Sequence, residues 1–86
     1  AENAQAMLAT KPVNTDASRS LVRYDPLGVV LAIMPWNFPF WLPFKSVLPP
    51  MMMGNSILSK HSPSTPLSAL AIHEAMIEAG FHDAEY

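Results

Sequence analysis

Apolar residues are spread unevenly along the chain. They form a dense block from Val29 to Leu58, and the block is interrupted at Met34-Pro35-Trp36-Asn37-Phe38-Pro39, where one amide side chain is set between two prolines. Val29-Val30-Leu31-Ala32-Ile33 is a continuous apolar run of strand length, suited to a strand buried on both faces. From Phe38 to Met53 the pattern predicts a helix that starts near Phe40, takes Pro43 into its first turn, is kinked or broken near Leu48 by Pro49-Pro50, and stops at Gly54. Asn55 to Lys60 reads as a second short strand with Ile57 and Leu58 as its buried part. From Leu67 to Ala79, helical spacing places Ala69, Ile72, Met76 and Ala79 on one face, with Glu74 and Glu78 opposite and Gly80 as the C-terminal cap.

The N-terminal part is patterned differently. Ala1 to Ala9 contains only helix-compatible residues and begins without a cap, as the last turns of a helix would. Lys11 to Asp16 reads as a loop, because Pro12 disfavours helix at Lys11 and Asn14 and Asp16 favour turns. Ser18 to Tyr24 carries an imperfect period-two pattern expected of an exposed strand or hairpin arm, and Asp25-Pro26-Leu27-Gly28 matches a type I turn. His61 to Pro66 is a connecting loop in which Ser64 or Thr65 can cap the following helix, with Pro66 in its first turn. The order predicts an α/β fold: a partial Rossmann-like parallel sheet formed by a right-handed βαβα unit over residues 26–86, preceded over residues 1–25 by a helix end and a hairpin arm. Two core strands need neighbours to bury their apolar faces.

Composition narrows the function classes. Half of the 86 residues are apolar, which is rich for one small domain and implies either tight packing or a piece of something larger. A net charge of −2 with five scattered Lys and Arg residues gives no basic stripe for nucleic acid. With no cysteine there is no disulfide framework, thiolate metal site or cysteine nucleophile in this chain, which fits a cytoplasmic protein. The N-terminus has no signal-peptide pattern, and the block from Val29 to Leu58 holds five prolines together with Asn37, Lys45 and Asn55, so no membrane span is expected. His61, His73 and His82 match no compact metal-binding spacing, and no metal is expected. Met51-Met52-Met53 reads as adaptable core packing rather than a binding groove.

Open α/β sheets bind ligands beyond the carboxyl ends of their strands, so the turn after Ile33 makes Asn37 the first candidate for chemistry. The competing role is an Asx turn, in which the side chain bonds its own backbone. Four blocks then suggest a family: Tyr24-Asp25-Pro26-Leu27-Gly28-Val29-Val30, Met34 to Phe40, Gly54 to Pro63, and Glu78-Ala79-Gly80-Phe81. Together they resemble the aldehyde dehydrogenase superfamily, and the Lys60-His61-Ser62-Pro63 form looks most like its succinate-semialdehyde dehydrogenase branch.

The resemblance implies a role for each matching position. Asn37 would donate its side-chain N–H to the carbonyl oxygen of a small aldehyde substrate, where negative charge develops on nucleophilic attack. Lys60 would hold the adenosine ribose of NAD or NADP, although a solvated lysine at a strand end is the ordinary alternative. Trp36 matches a position bordering the cofactor, mostly through backbone, and its indole could equally fill a core. His61 and Ser62 would shape the adenosine pocket. Pro63 stands where many NAD-preferring members carry a glutamate, so acceptance of NADP as well as or better than NAD is expected.

Pro43 and Pro50 depart from the small or apolar residues usual in the family and imply a shorter or more bent helix. The resemblance also implies oxidation of the aldehyde by way of a thiohemiacetal, hydride transfer and thioester hydrolysis, in a homo-oligomer joined through the hairpin arm. The family's nucleophilic cysteine, general-base glutamate and pyrophosphate-facing glycine turn all lie downstream of the matching segment. These 86 residues are therefore expected to be an inactive segment of the enzyme, with a non-catalytic interaction module or remnant as the alternative.

Overall fold

The computed structural model describes residues 2–82 and 86; Ala1 and residues 83–85, at the outer bounds of the two predicted segments, lie outside the described residues. The chain forms α1 (Ala4–Leu8), β1 (Lys11–Pro12), β2 (Leu21–Val22), β3 (Val29–Ile33), α2 (Trp41–Met52), β4 (Ser56–Lys60) and α3 (Pro66–Glu78). This is the predicted α/β order. β3 and β4 pair in parallel, in a register that runs from Val29 opposite Ser56 to Ile33 opposite Lys60. β1 and β2 form a separate antiparallel ribbon. With the ribbon projecting, the radius of gyration is 16.5 Å, against roughly 12 Å for a compact chain of this length.

Two departures from the expected elements concern proline. Lys11-Pro12 is not loop but the first strand of the ribbon, with Val13 N–H donating to Ser20 C=O at 2.9 Å. Because residues 11 and 13 take the hydrogen-bonded positions of this antiparallel pair, the missing N–H of Pro12 falls on the outer side, where no partner is lost. α2, for its part, runs unbroken through Leu48 and contains Pro49 and Pro50. Those prolines leave unpaired only the carbonyls of Lys45 and Ser46, both on exposed residues that water can serve, and the helix ends within a turn beyond them. Pro43 lies in the first turn, as expected, and is fully buried.

Both long helices close with the same device. After α2, Gly54 takes a φ of 85°, its N–H donates to Met51 C=O, and the Asn55 N–H reaches back to Pro50 C=O. After α3, Gly80 takes a φ of 96°, its N–H donates to Ile77 C=O, and the Phe81 N–H donates to Met76 C=O. Each is a Schellman motif that satisfies otherwise orphaned carbonyls. A Cβ added at Gly80 would meet nothing within 4 Å, so Gly80→Ala should cost only the left-handed backbone penalty of about 1–2 kcal/mol, read as a lower denaturation midpoint. At the start of α3, Thr65 stands at the cap position as expected, but its hydroxyl turns back to Ser62 C=O rather than capping the helix.

The core lies on one side of the sheet. Ala32 and Ile57 from the strands, Val47 from α2, and Ile72 and Met76 from α3 form a single buried cluster, with Val30, Met34, Phe44, Met51 and Phe81 packed against it. The other side of the sheet is open: Val29, Leu31, Ile33 and Leu58 are all exposed. The expectation that β3 is buried on both faces, and that Leu58 is buried with Ile57, is therefore corrected. Alternation along each strand sends those side chains away from both helices, and no described element covers them. Met52 and Met53 also depart from the expected core packing. With Met7, Leu8 and Pro49 they line an open groove of 710 Å³ between α1 and the end of α2.

Candidate functional site

Parallel pairing brings the two leading candidates to one edge. Lys60 is the last residue of β4 and lies opposite Ile33, the last residue of β3, and the next N–H, that of Met34, donates to Lys60 C=O at 2.9 Å. The chain then turns through Pro35-Trp36-Asn37 into α2. Phe38 adopts a φ of 51°, the one described non-glycine residue in the left-handed region, and its carbonyl accepts the Leu42 N–H at 3.1 Å. Such a conformation costs about 1–3 kcal/mol in a bulky residue and is kept where the surroundings determine it. Here it folds the chain back at once into the helix. Asn37 is thereby held between a strand end and a helix start, with Pro35 and Pro39 restricting the backbone on either side.

The Asn37 side chain is exposed and makes no hydrogen bond among the described residues, so no Asx turn engages its amide. Trp36 is 68% exposed and fills no core of this chain. Lys60 is exposed as well. Past it the chain leaves the sheet through His61, Ser62 and Pro63. The Ser62 hydroxyl accepts the Ser64 N–H at 3.3 Å and lies 3.5 Å from the Ser64 hydroxyl, which ties the loop to the approach of α3. His61 turns the other way: its Nδ1 is 3.3 Å from the Ser59 hydroxyl, and its Nε2 is buried without a hydrogen-bond partner among the described residues. Burial pushes the imidazole below its ordinary range and favours the neutral ring.

From residue 26 to residue 73 the sequence contains no Asp or Glu, so the strand ends, the turn and the loop that form this edge carry no carboxylate of their own. An ammonium with three donors, a serine hydroxyl and an amide form a donor set suited to ribose hydroxyls, a phosphate and a carbonyl oxygen. Among the described residues no group of three His, Asp or Glu side chains could hold a metal ion. No described helix is long and apolar enough to cross a membrane.

One structurally important residue was not legible as such. Asn55, taken from the sequence as the start of the second strand, is instead a buried bridge. Its Oδ1 accepts the N–H groups of Leu27 and Gly28 at 2.6 and 3.1 Å, and its Nδ2 donates to Pro50 C=O at 2.9 Å. The type I turn expected at Asp25–Gly28 is accordingly corrected. The N–H that would return to Asp25 goes to Asn55, while the Asp25 carboxylate accepts Nε and Nη2 of Arg23. The available signal was an amide directly after a helix-stopping glycine.

The model of the aldehyde dehydrogenase family matches residues 1–84. A Synechocystis sp. protein named probable succinate-semialdehyde dehydrogenase (NADP+) is 49% identical over the whole chain, which corresponds to 19% of that protein. Succinate-semialdehyde dehydrogenase (NADP+) 1 of Mycobacterium ulcerans is 46% identical over 96% of the chain and 19% of its own length. The crystal structure of succinic semialdehyde dehydrogenase from Streptococcus pyogenes in complex with NADP+ superimposes with a TM-score of 0.91 at 31% identity, over 98% of this chain and 18% of that one. The chain thus spans about a fifth of the length of the relatives it matches. With a family model covering nearly every residue and close to half the positions identical in a relative, the chain belongs to the aldehyde dehydrogenase family.

Proposed function

We propose that these residues act within a longer polypeptide as the first part of the cofactor-binding domain of an NADP-dependent aldehyde dehydrogenase that oxidises succinate semialdehyde to a carboxylate. The observation that carries this reading is the parallel pairing of β3 and β4, which sets the Asn37 turn and Lys60 at one sheet edge. In this reading the Asn37 amide N–H donates to the aldehyde oxygen as negative charge builds on it. The Lys60 ammonium bonds the adenosine ribose and faces its 2′-phosphate. Trp36 borders the cofactor, and Ser62 and Pro63 line the adenosine pocket. The nicotinamide, when bound, supplies the hydride acceptor.

The chain contains no cysteine, so the nucleophile has to come from elsewhere in the polypeptide. The open apolar face of β3 and β4 and the fivefold greater length of the relatives support the view that these residues work as part of a larger enzyme. The names of the relatives support NADP and the four-carbon aldehyde.

The test is oxidation of succinate semialdehyde by the purified enzyme that carries this segment, with NADP+ and NAD+ compared. A lower dissociation constant for NADP+ is expected, and a clear preference for NAD+ would overturn the cofactor assignment. Pro63→Glu should move the ratio toward NAD+ by about tenfold or more, since a carboxylate near the 2′-phosphate repels it and hydrogen-bonds ribose hydroxyls instead.

A further inference from the structure

We infer that His61 is a positioning residue for Lys60: held against Ser59 on the covered side of the sheet, its ring keeps the Lys60 side chain on the opposite side at the ligand edge. The inference rests on the cofactor reading above.

Successive side chains of a strand point to opposite faces. Ser59 lies opposite Ala32, which is buried on the helix-covered side, and Lys60 lies opposite Ile33 on the open side. The regular ladder ends at Lys60, so pairing alone does not dictate which way residue 61 turns. The contact between Nδ1 and the Ser59 hydroxyl at 3.3 Å, together with burial of Nε2, puts the His61 ring on the Ser59 side. The strand alternation is thereby extended by one residue, and Lys60 is bracketed by two inward side chains that touch each other. Its backbone carbonyl is held at the same time by Met34 N–H. Because burial favours the neutral imidazole, His61 adds no second cation beside the ammonium. Nε2 has no partner among the described residues, so the ring owes its place to packing and to Ser59.

The test is a double-mutant cycle on NADP+ affinity, measured by titration calorimetry in the enzyme that carries this segment. His61→Ala should weaken binding about 5- to 10-fold in the wild-type background and by less than about twofold in the Lys60→Ala background, because it acts through Lys60. His61→Asn, whose amide can occupy the place of Nδ1, should restore most of the loss. If His61→Ala does not fold, the cycle is run with His61→Leu, which fills the space without a polar atom. An equal loss in both backgrounds, or none in the wild type, overturns the positioning role and leaves the cofactor reading standing. Unchanged affinity in Lys60→Ala alone overturns that reading and this inference with it.

Discussion

Replacing Asn37 with alanine in the enzyme that carries this segment is expected to lower kcat by about 100- to 1,000-fold, the effect of removing one preorganised donor from a developing oxyanion. KM should change little, because the neutral aldehyde oxygen of the ground state accepts a far weaker hydrogen bond than the charged oxygen of the transition state. The expectation follows from where the amide sits. It is exposed, engages no other described group, and is held by Pro35, Pro39 and the left-handed Phe38 between the end of β3 and the start of α2. The backbone that carries the amide is therefore restricted on both sides of residue 37. Asn37→Asp should be at least as damaging, since it puts a carboxylate where negative charge develops. Steady-state kinetics with the folded variants decide the matter, and a kcat within threefold of wild type in Asn37→Ala would remove Asn37 from the mechanism.

Loss of the Asn55 side chain should be the most damaging polar substitution for stability. Asn55→Ala strands the N–H groups of Leu27 and Gly28 and removes one donor from Pro50 C=O. At about 1–3 kcal/mol for each unsatisfied buried group, with some relief where water can enter a partly buried site, the total cost is about 2–5 kcal/mol. That is a large share of the stability of a small domain. Asn55→Asp should fall between, because a carboxylate still accepts both N–H groups but faces the Pro50 carbonyl without a proton to give it. Denaturant unfolding reads the result, and an Asn55→Ala midpoint equal to wild type would show that the bridge contributes nothing. The site matters beyond its own hydrogen bonds. It joins the end of α2 to the turn that feeds β3, directly before the Val29–Ser56 pair that begins the parallel register.

Much of the fold could be read locally. Gly54 and Gly80 marked both Schellman stops because left-handed geometry at a helix end strongly favours glycine. Val29–Ile33 and Leu67–Ala79 announced a strand and a helix through their period and length. The failures arose where tertiary partners overrode local preference. Pro49-Pro50 argued for a break in α2, yet the helix continues because only its last turn is affected and Val47 and Met51 pack into the core on either side. Pro12 argued for loop, but a two-stranded ribbon offers a position where a missing N–H is harmless. The type I turn at Asp25–Gly28 gave way to a side chain 27 or 28 residues later in the chain, which no local pattern encodes.

The candidate site divides in the same manner. By itself the sequence determined which residues are candidates for chemistry: an amide between two prolines and a lysine ending an apolar strand, within a stretch from residue 26 to residue 73 that has no carboxylate. These are covalent facts and short-range backbone restrictions. Only the tertiary structure decided that Asn37 and Lys60 share an edge, that His61 turns inward beside Ser59, and that Leu58 faces away from the core. The first and the last follow from the parallel register of β3 and β4 and from both helices lying on one side of the sheet, whereas the turn of His61 goes with its contact to Ser59 and the burial of its Nε2. Such a register is set by packing between segments more than twenty residues apart, so it is an outcome of the whole fold rather than of any stretch within it.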